Sequence, residues 1–584
     1  MQGGKIAPMS EAGSNGRGAG GVSGGAREGP RDTRMTAGPT RPGTRGWSWA
    51  WLGLGFAALG VLFVVAALGH SLSIDGTRYF WLDDDQMISM RYARNLADGH
   101  GLVWNPGERV EGYTNFLWTV VMAGVHLLPL ADAHTSLAVL ALNGLCAALV
   151  LIFSARLLAE LAPGSQRALP VLLLLLCTCN DLVYWATNGF ETTLLTALFV
   201  LSLARLAAEN RTGCSRWSTF LAMGLIPLVR SDAHLLWLTV AAFAWHQAPQ
   251  RARTLRMLIV SGLLPLLHQG MRLAYYGEWF PNTYYLKVGG NQGLVAGGLG
   301  YVAEGLLTSY WLVLLIALAG ARKAGEGRRW VLLGGFALAM LSAVWVGGDT
   351  FPGWRFLAPW VPVAFVLAIA GTWSLVPQPG LTRVAVYAAL VLSGLVFSLN
   401  VRVAGGIHPF VFPPQKNTNG GPTRSLVTGL GIREHTDQDV RVAVHAAGLV
   451  PYFSRRYCID WLGKTDAHVA RLEPEGSKVG HNKIDPMHSL ETQRADLAVM
   501  LWLPKGLGAC NPMAIERVRA TAPRWVGTVY LSEPFQRQFC GNVIEPRRGS
   551  PVYWRSASAQ KIRAGAWQRA SAERVPGQRA SGQR

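Results

Sequence analysis

The chain has 584 residues, half of them apolar and 15% charged, with a formal net charge of +20. A soluble protein of this length carries about a quarter charged residues, so the composition excludes an ordinary soluble enzyme and fits a polytopic helical membrane protein. The basic residues lie in the first segment, in short loops between apolar runs and in the tail, and no basic stripe is interleaved with aromatics, which argues against nucleic-acid binding.

Residues 1–46 are rich in Gly, Arg, Pro and Ser and read as a disordered basic segment on the cytoplasmic side. The apolar run from Trp47 to Gly69 reads as a retained first helix, which opens a transmembrane domain over residues 47–402. The loop that follows, residues 71–113, therefore emerges on the outer side. It contains Trp81-Leu-Asp-Asp-Asp-Gln86, a helix start with Asp83 as N-cap and Gln86 placed to reach back in a capping box. Asp84 and Asp85 fall in the first turn, where the helix dipole favours negative charge, and Gly99 is placed to end the helix. Such acids also suit a plain well-capped helix, and one of them can balance Arg91 or Arg94.

The next apolar run, 114–130, decides the parity of everything after it. Counted as a span, it would put the basic loops at Arg211, Arg251–Arg256 and Arg322–Arg329 outside. Treated as a juxtamembrane helix on the outer face, it puts them inside, with Arg156 and Arg167, as the positive-inside rule prefers. The spans are then 135–158, 168–185, 190–207, 217–230, 233–247, 256–275, 300–320, 330–346, 356–374 and 383–402, about eleven with the first. This choice gathers the polar loops on the outer side: Trp185–Glu191, Arg230–Asp232, Trp279–Lys287 and Gly347–Phe356.

Residues 403–555 read as a small extracytoplasmic α/β domain, with strands over 440–444, 457–461, 495–500 and 525–531. Residues 556–584 read as a disordered basic tail. Cys146, Cys177, Cys179 and Cys214 are apolar fillers in or beside spans, and Cys510–Cys540 is the first candidate for a disulfide.

Ionisable groups at membrane depth are expensive and are paired or functional. Asp84 or Asp85 can take a proton from an acceptor hydroxyl; Lys287 and Arg355 can neutralise a phosphate, Arg by a bidentate fork and Lys as a point charge. Asp349, between a Gly pair and a Pro-containing turn, can orient a sugar hydroxyl, while Glu191 sits where it can cap a span. Candidate substrate-binding residues are Arg91, Glu111, Tyr113, Asn115, Glu191, Asp232, Asn282, Lys287, Asp349, Arg355, His481 and Lys483. No His or Cys pattern has metal-ligand spacing, although a divalent metal is compatible with the acids, and no phosphate-binding Gly-rich loop with Lys-Ser/Thr supports an ATP-driven pump.

The motifs Asp84-Asp85-x-x-Ile-Ser-x-Arg-Tyr-Ala-Arg-Asn95, Asn105-Pro-Gly-Glu-Arg-Val-Glu-Gly-Tyr-Thr-Asn115 and Gly189-Phe-Glu191 resemble the GT-C superfamily of membrane glycosyltransferases. So do Pro281-Asn-Thr-Tyr-Tyr285, Gly347-Gly-Asp349 with Arg355-Phe-Leu, and Gly463-Lys-Thr-Asp466 through Gly480-His-Asn-Lys483. The branch they look like holds the mycobacterial terminal β-arabinofuranosyltransferases, with aminoarabinose transferases and protein O-mannosyltransferases more distant. The resemblance runs from about residue 50 to about 505. It implies a polyprenyl-phosphate sugar donor, inversion at the anomeric carbon, Asp84 as catalytic base with Asp85 as its neighbour, and a glycan, lipid or protein acceptor at the outer face of the cytoplasmic membrane. The extra Asp83, and Gln86-Met87 where Ala-Tyr is usual, depart from the branch, so the donor sugar does not carry over. The competing classes are a transporter or flippase of a lipid-linked saccharide and an oligosaccharide ligase. A transporter predicts mid-membrane charges and internal half-repeats, and the sequence displays no repeat.

Overall fold

The computed structural model describes residues 44–288, 293–349, 351, 353–399, 402–403, 406–407, 421–476, 478–500, 503, 510–544, 546 and 549–573. Most of the expected basic segment 1–46 and the last part of the tail, 574–584, lie outside these residues.

Helix α1 (Thr44–Gly69) is followed by a short antiparallel pair, β1 (Ser71–Ile74) and β2 (Thr77–Phe80), turning at Asp75–Gly76. Helix α2 (Asp84–Ala97) starts as the sequence predicts, with the Asp83 carboxylate accepting from the Asp85 N–H at 3.1 Å, and ends at Gly99, whose φ of +83° few other residues would tolerate. The capping box does not form: the Gln86 side chain donates to Glu191 at 3.0 Å instead. Helix α3 (Phe116–His126) has 11 residues, about 16 Å of rise, roughly half the hydrocarbon thickness.

The remaining helices of the bundle are α4 (Asp132–Leu161), α5 (Leu169–Thr178), α6 (Asn180–Thr187), α7 (Thr192–Thr212), α8 (Trp217–Val229), α9 (His234–His246), α10 (Arg251–Tyr276), α11 (Asn282–Lys287), α12 (Leu294–Gly305), α13 (Trp311–Ala324), α14 (Gly327–Trp345), α15 (Val361–Leu375) and α16 (Leu381–Leu399). Among the described residues six helices are long and apolar enough to cross a bilayer, or seven if α5 and α6, bent by 57° at their junction, form one span. The expected count of about eleven is therefore not met on length and apolarity. Helices α8 and α9 have 13 residues each, and a π-turn at Leu306–Tyr310 divides α12 from α13. Gly320 and Gly371 let α13 and α15 touch backbone to backbone, since a Cβ on Gly320 would lie 2.1 Å from the Gly371 Cα. The chain is a multi-pass membrane protein.

After a two-residue pair, β3 (Arg402–Val403) with β4 (Gly406–Ile407), and helix α17 (Gly421–His435), the chain builds a five-stranded sheet. Its strands are β5 (Arg441–Val444), β6 (Tyr457–Asp460), β7 (Leu497–Val499), β8 (Val543–Ile544) and β9 (Val552–Trp554), in the order β6-β5-β7-β9-β8. β5 runs parallel to β6 and β7, and β9 antiparallel to β7 and β8. Alternation along the strands gives the sheet two apolar faces. Val442, Val444, Leu497 and Val552 pack with Ile88 and Tyr92 of α2 and with Trp104 and Tyr113 of the first loop. Ala443, Ala498 and Tyr553 pack against Trp461, Tyr530 and Phe535. The sheet thus grips α2 on one face, which fixes the acidic turn at the edge of the bundle.

Two expectations are corrected. Residues 525–531 are not a strand: Arg524–Tyr530 is a helix, its Val526, Val529 and Tyr530 on one apolar face under the sheet. The tail is not disordered from residue 556, because Ser556–Lys561 is a 3₁₀ turn and Ala564–Glu573 a helix whose Trp567 is buried and stacked on His435. The disulfide Cys510–Cys540 is formed.

Candidate active site

The acidic turn of α2 meets loops leaving the carboxyl ends of the parallel strands β5 and β6, the usual place for a site in such a sheet. After β5, the backbone N–H groups of Leu449 and Gly448 donate to the two Asp84 oxygens at 2.8 and 3.3 Å. Gly448 comes so near that a Cβ there would lie 1.9 Å from the Asp84 carbonyl oxygen. After β6, Lys464 forms an ion pair with Asp85. The Lys464 loop is held from both sides. The buried Asp460 carboxylate accepts from the Leu462 and Thr465 N–H groups at 3.0 and 2.9 Å, and Asn282 donates its amide to the carbonyls of Gly463, Lys464 and Asp466 at 2.9, 3.1 and 3.1 Å.

Lys287, at the end of α11, and Arg355 act electrostatically on Asp85. Arg355 pairs with Asp349 at 2.7 Å and lies over the Phe351 and Trp185 rings. A glycine turn faces the Lys287 side chain, where a Cβ on Gly480 would lie 4.0 Å from it, and the next residue, His481, packs its ring on Trp525.

The three carboxylates are half-buried but differ electrostatically. Burial, reinforced by Asp85, pushes Asp83 up to about 7. Burial also raises Asp84, against the pull of the Leu449 N–H and Lys464. At Asp85 burial acts upward as well, but the charge of Lys464, with Lys287 and Arg355, prevails and holds the carboxyl down to about 2. Burial and then Arg355 lower Lys287, and burial with Lys464 and Lys478 brings His481 down to about 4. The arrangement offers a carboxylate of raised basicity beside a cluster of three cations. Such a pair can take a proton at one atom and stabilise an anion at another.

Of the sequence-derived candidates, the structure gathers Asp84, Asp85, Lys287, Asp349, Arg355 and His481. The others have different occupations. All five Arg91 N–H groups are engaged, with the carbonyls of Trp104, Pro451 and Arg456, the Asn105 side chain and the Cys458 sulfur, so Arg91 clamps α2 to the sheet. It pairs with neither acid, and Arg94 likewise donates to the Tyr452 carbonyl. Glu111 is locked to Arg272 by two hydrogen bonds of 2.6 and 3.1 Å. Tyr113 meets the Tyr276 hydroxyl at 3.1 Å. Glu191 joins Gln86, Asn115 and Arg230, and Arg230 forks onto Asp232 at 2.8 and 2.9 Å, which ties α2, α3 and α8 together. Asn282 shapes the Lys464 loop, and Lys483 donates to the Tyr285 and Ala470 carbonyls. Lys464 was missed as a site residue although its motif stood out; its place just past a predicted strand was the available signal. The Gly448 and Leu449 amides are backbone groups and left no signal. Among the described residues no group of three or more His, Cys, Asp or Glu side chains is placed to hold a metal ion.

The helical bundle has the fold of the GT-C membrane glycosyltransferases. The crystal structure of ArnT from Cupriavidus metallidurans bound to undecaprenyl phosphate superposes with a TM-score of 0.52 at 12% identity, covering 88% of this chain and 98% of that one. By sequence the chain is similar to terminal β-(1→2)-arabinofuranosyltransferases. The Mycobacterium tuberculosis protein is 28% identical over 226 residues, 35% of this chain and 35% of the relative. The Corynebacterium glutamicum protein is 26% identical over 331 residues, 48% and 46%. The matches thus span about a third to a half of the length of these curated relatives. A domain of unknown function (DUF8728) matches residues 418–544, which include the Gly448 and Lys464 loops.

Proposed function

We propose that the chain is an inverting glycosyltransferase that moves a sugar from a polyprenyl-phosphate donor to a cell-envelope glycan, lipid or protein acceptor at the outer face of the cytoplasmic membrane. The observation that carries this reading is the meeting of Asp84 and Asp85 with Lys464, Lys287 and Arg355 where α2 abuts the sheet. The named relatives support transfer of a sugar, and the undecaprenyl phosphate bound to ArnT supports a lipid-phosphate donor.

Asp84 is the base. Its burial-raised basicity suits proton abstraction, whereas Asp85, paired with Lys464, is a poor proton acceptor. The acceptor hydroxyl passes its proton to Asp84 as its oxygen attacks the anomeric carbon from the side opposite the phosphate. The bond from that carbon to the phosphate oxygen breaks, and polyprenyl phosphate leaves with its charge stabilised by Lys464, Lys287 and Arg355. Asp85 positions Lys464, Asp349 positions Arg355, and the proton on Asp84 returns to water.

The test is mass spectrometry of envelope glycans from cells carrying either the native gene or Asp84→Ala at equal protein level. Loss of a terminal sugar supports the reading and names donor and acceptor together. An unchanged glycan profile overturns it.

A further inference from the structure

A cavity of about 340 Å³ lies between the Trp104–Val110 stretch of the first loop and β6, the edge strand of the sheet. The segment Asp460–His468 forms part of its wall through Asp460, Thr465, Asp466 and His468, while Lys464, in the same segment, reaches away to Asp85. The same short loop therefore serves the cation cluster with one side chain and this cavity with its neighbours.

The wall is built and acceptor-rich. His468 and His488 stack at 4.2 Å with their planes 27° apart, and each ring is held by a carboxylate, His468 by Asp485 and His488 by Asp466, both at 3.0 Å. Glu108 accepts from the Tyr457 hydroxyl and from Asn105 Nδ2 at 2.9 Å, and Arg441 covers one face of the Tyr457 ring. Gln493 approaches His488 at 3.4 Å and accepts from Arg441 at 2.9 Å. A carboxylate oxygen carries two lone pairs, so Glu108 retains acceptor capacity after these bonds, while Asp466, whose Oδ1 already accepts from the His468 and Val469 N–H groups, retains it at Oδ2 alone.

Charge decides what such a wall takes. Asp460 is buried and held by the Leu462 and Thr465 N–H groups, and Asp466 is paired with His488 as His468 is with Asp485, so a phosphate or uronate would find only Arg109, with Glu108 beside it; an apolar chain would desolvate the polar wall without replacing its hydrogen bonds. A ligand with many hydroxyl donors and no charge satisfies them, and the paired imidazoles offer a flat surface to a sugar ring. The volume falls within the roughly 300–1,000 Å³ of small-molecule pockets, room for about one or two sugar rings.

We infer that this cavity is an acceptor subsite for a neutral glycan, holding sugars behind the one whose hydroxyl reacts. The inference rests on the transferase reading above. It sorts the two substrates by charge: the anionic leaving group belongs to Lys464, Lys287 and Arg355, and the uncharged chain belongs to the carboxylate- and imidazole-lined cavity.

The test is isothermal titration calorimetry on the full-length protein in nanodiscs, without donor. The probes are neutral arabinose, mannose and glucose oligosaccharides of two and six residues, with oligogalacturonate as the anionic counterpart. A neutral hexasaccharide should bind, the anionic one should not, and His468→Ala and Gln493→Ala should each weaken binding roughly tenfold, as for a lost hydrogen bond. His468 is half exposed, so its removal spares the fold. Asp84→Asn should leave this binding unchanged. Absence of neutral-glycan binding, preference for oligogalacturonate, or unweakened, wild-type affinity in both cavity variants overturns the subsite. An unchanged envelope glycan profile for the Asp84 variant, whatever the calorimetry gives, is the separate failure of the transferase reading.

Discussion

Glu111 with Arg272, and Asp85 with Lys464, are both acid–base pairs joining distant parts of the chain, yet they are different objects. The first is closed: a two-bond fork, nearly inaccessible, one charge against one charge. The second is open: Lys464 and Asp85 retain about a fifth of their side-chain surface, and Lys287 and Arg355 add positive charge nearby. Three cations, Lys464, Lys287 and Arg355, thus gather around Asp85 and Asp349. A closed pair has no capacity for a ligand and serves to hold helices, whereas an open one has charge left for a phosphate. The type of residue is the same in both; the count of partners separates them.

This contrast can be broken at several points. The largest effect is expected at the base: Asp84→Asn should cut kcat by about a hundredfold or more while thermal unfolding moves little, because the amide oxygen can still accept one of the two backbone bonds. Lys464→Met should lower turnover by about a hundredfold, the scale of losing one donor to a developing anion, and should weaken binding of polyprenyl phosphate in a lipid-binding assay. Arg272→Ala should do the reverse. It leaves Glu111 buried and unpaired, costs about 3–5 kcal/mol of stability in a denaturant titration, and leaves the pH profile of any remaining activity unaltered.

Two smaller effects depend on pH. Asp85 is held to about 2 in the folded protein against an ordinary 3.8, so it contributes stability that is present above about pH 4 and lost as the pH falls toward 2. Lys464→Met should abolish that acid sensitivity in a melting-temperature series. Asp83 works in the opposite direction. Its folded value of about 7 lies above its ordinary 3.8, so ionising it opposes folding and stability declines as the pH rises between those values. Asp83→Asn, which retains an N-cap acceptor, should therefore raise the melting temperature by about 2–4 °C at pH 8 and leave it unchanged at pH 3.

The start and stop of α2 were readable because capping chemistry is local: Asp83 and Gly99 act on neighbours in sequence. The same holds for strands β5, β6 and β7, whose apolar runs are short and bounded by turns. What could not be read was pairing across the chain. Glu111, Glu191 and Asp232 were candidate ligands because their partners Arg272 and Arg230 stand on other elements or out of register, and one-dimensional spacing does not reveal a fork closed over 161 residues. The helix Arg524–Tyr530 read as a strand because its β-branched and aromatic content outweighed a helical periodicity only seven residues long. Asp84 and Asp85 were singled out together, but their division into one acid of raised and one of lowered basicity needed the positions of Leu449 and Lys464.

Gly448 presses against the Asp84 carbonyl with no room for a methyl group. A single added carbon there would act as a wedge, prising the sheet from the acidic turn by pressing on the Asp84 backbone and, at 2.9 Å, on its carboxyl carbon. Gly448→Ala is thus a mechanical probe. It asks whether the appended domain is needed as a clamp on the membrane-embedded part, a question that deleting the domain wholesale could not pose.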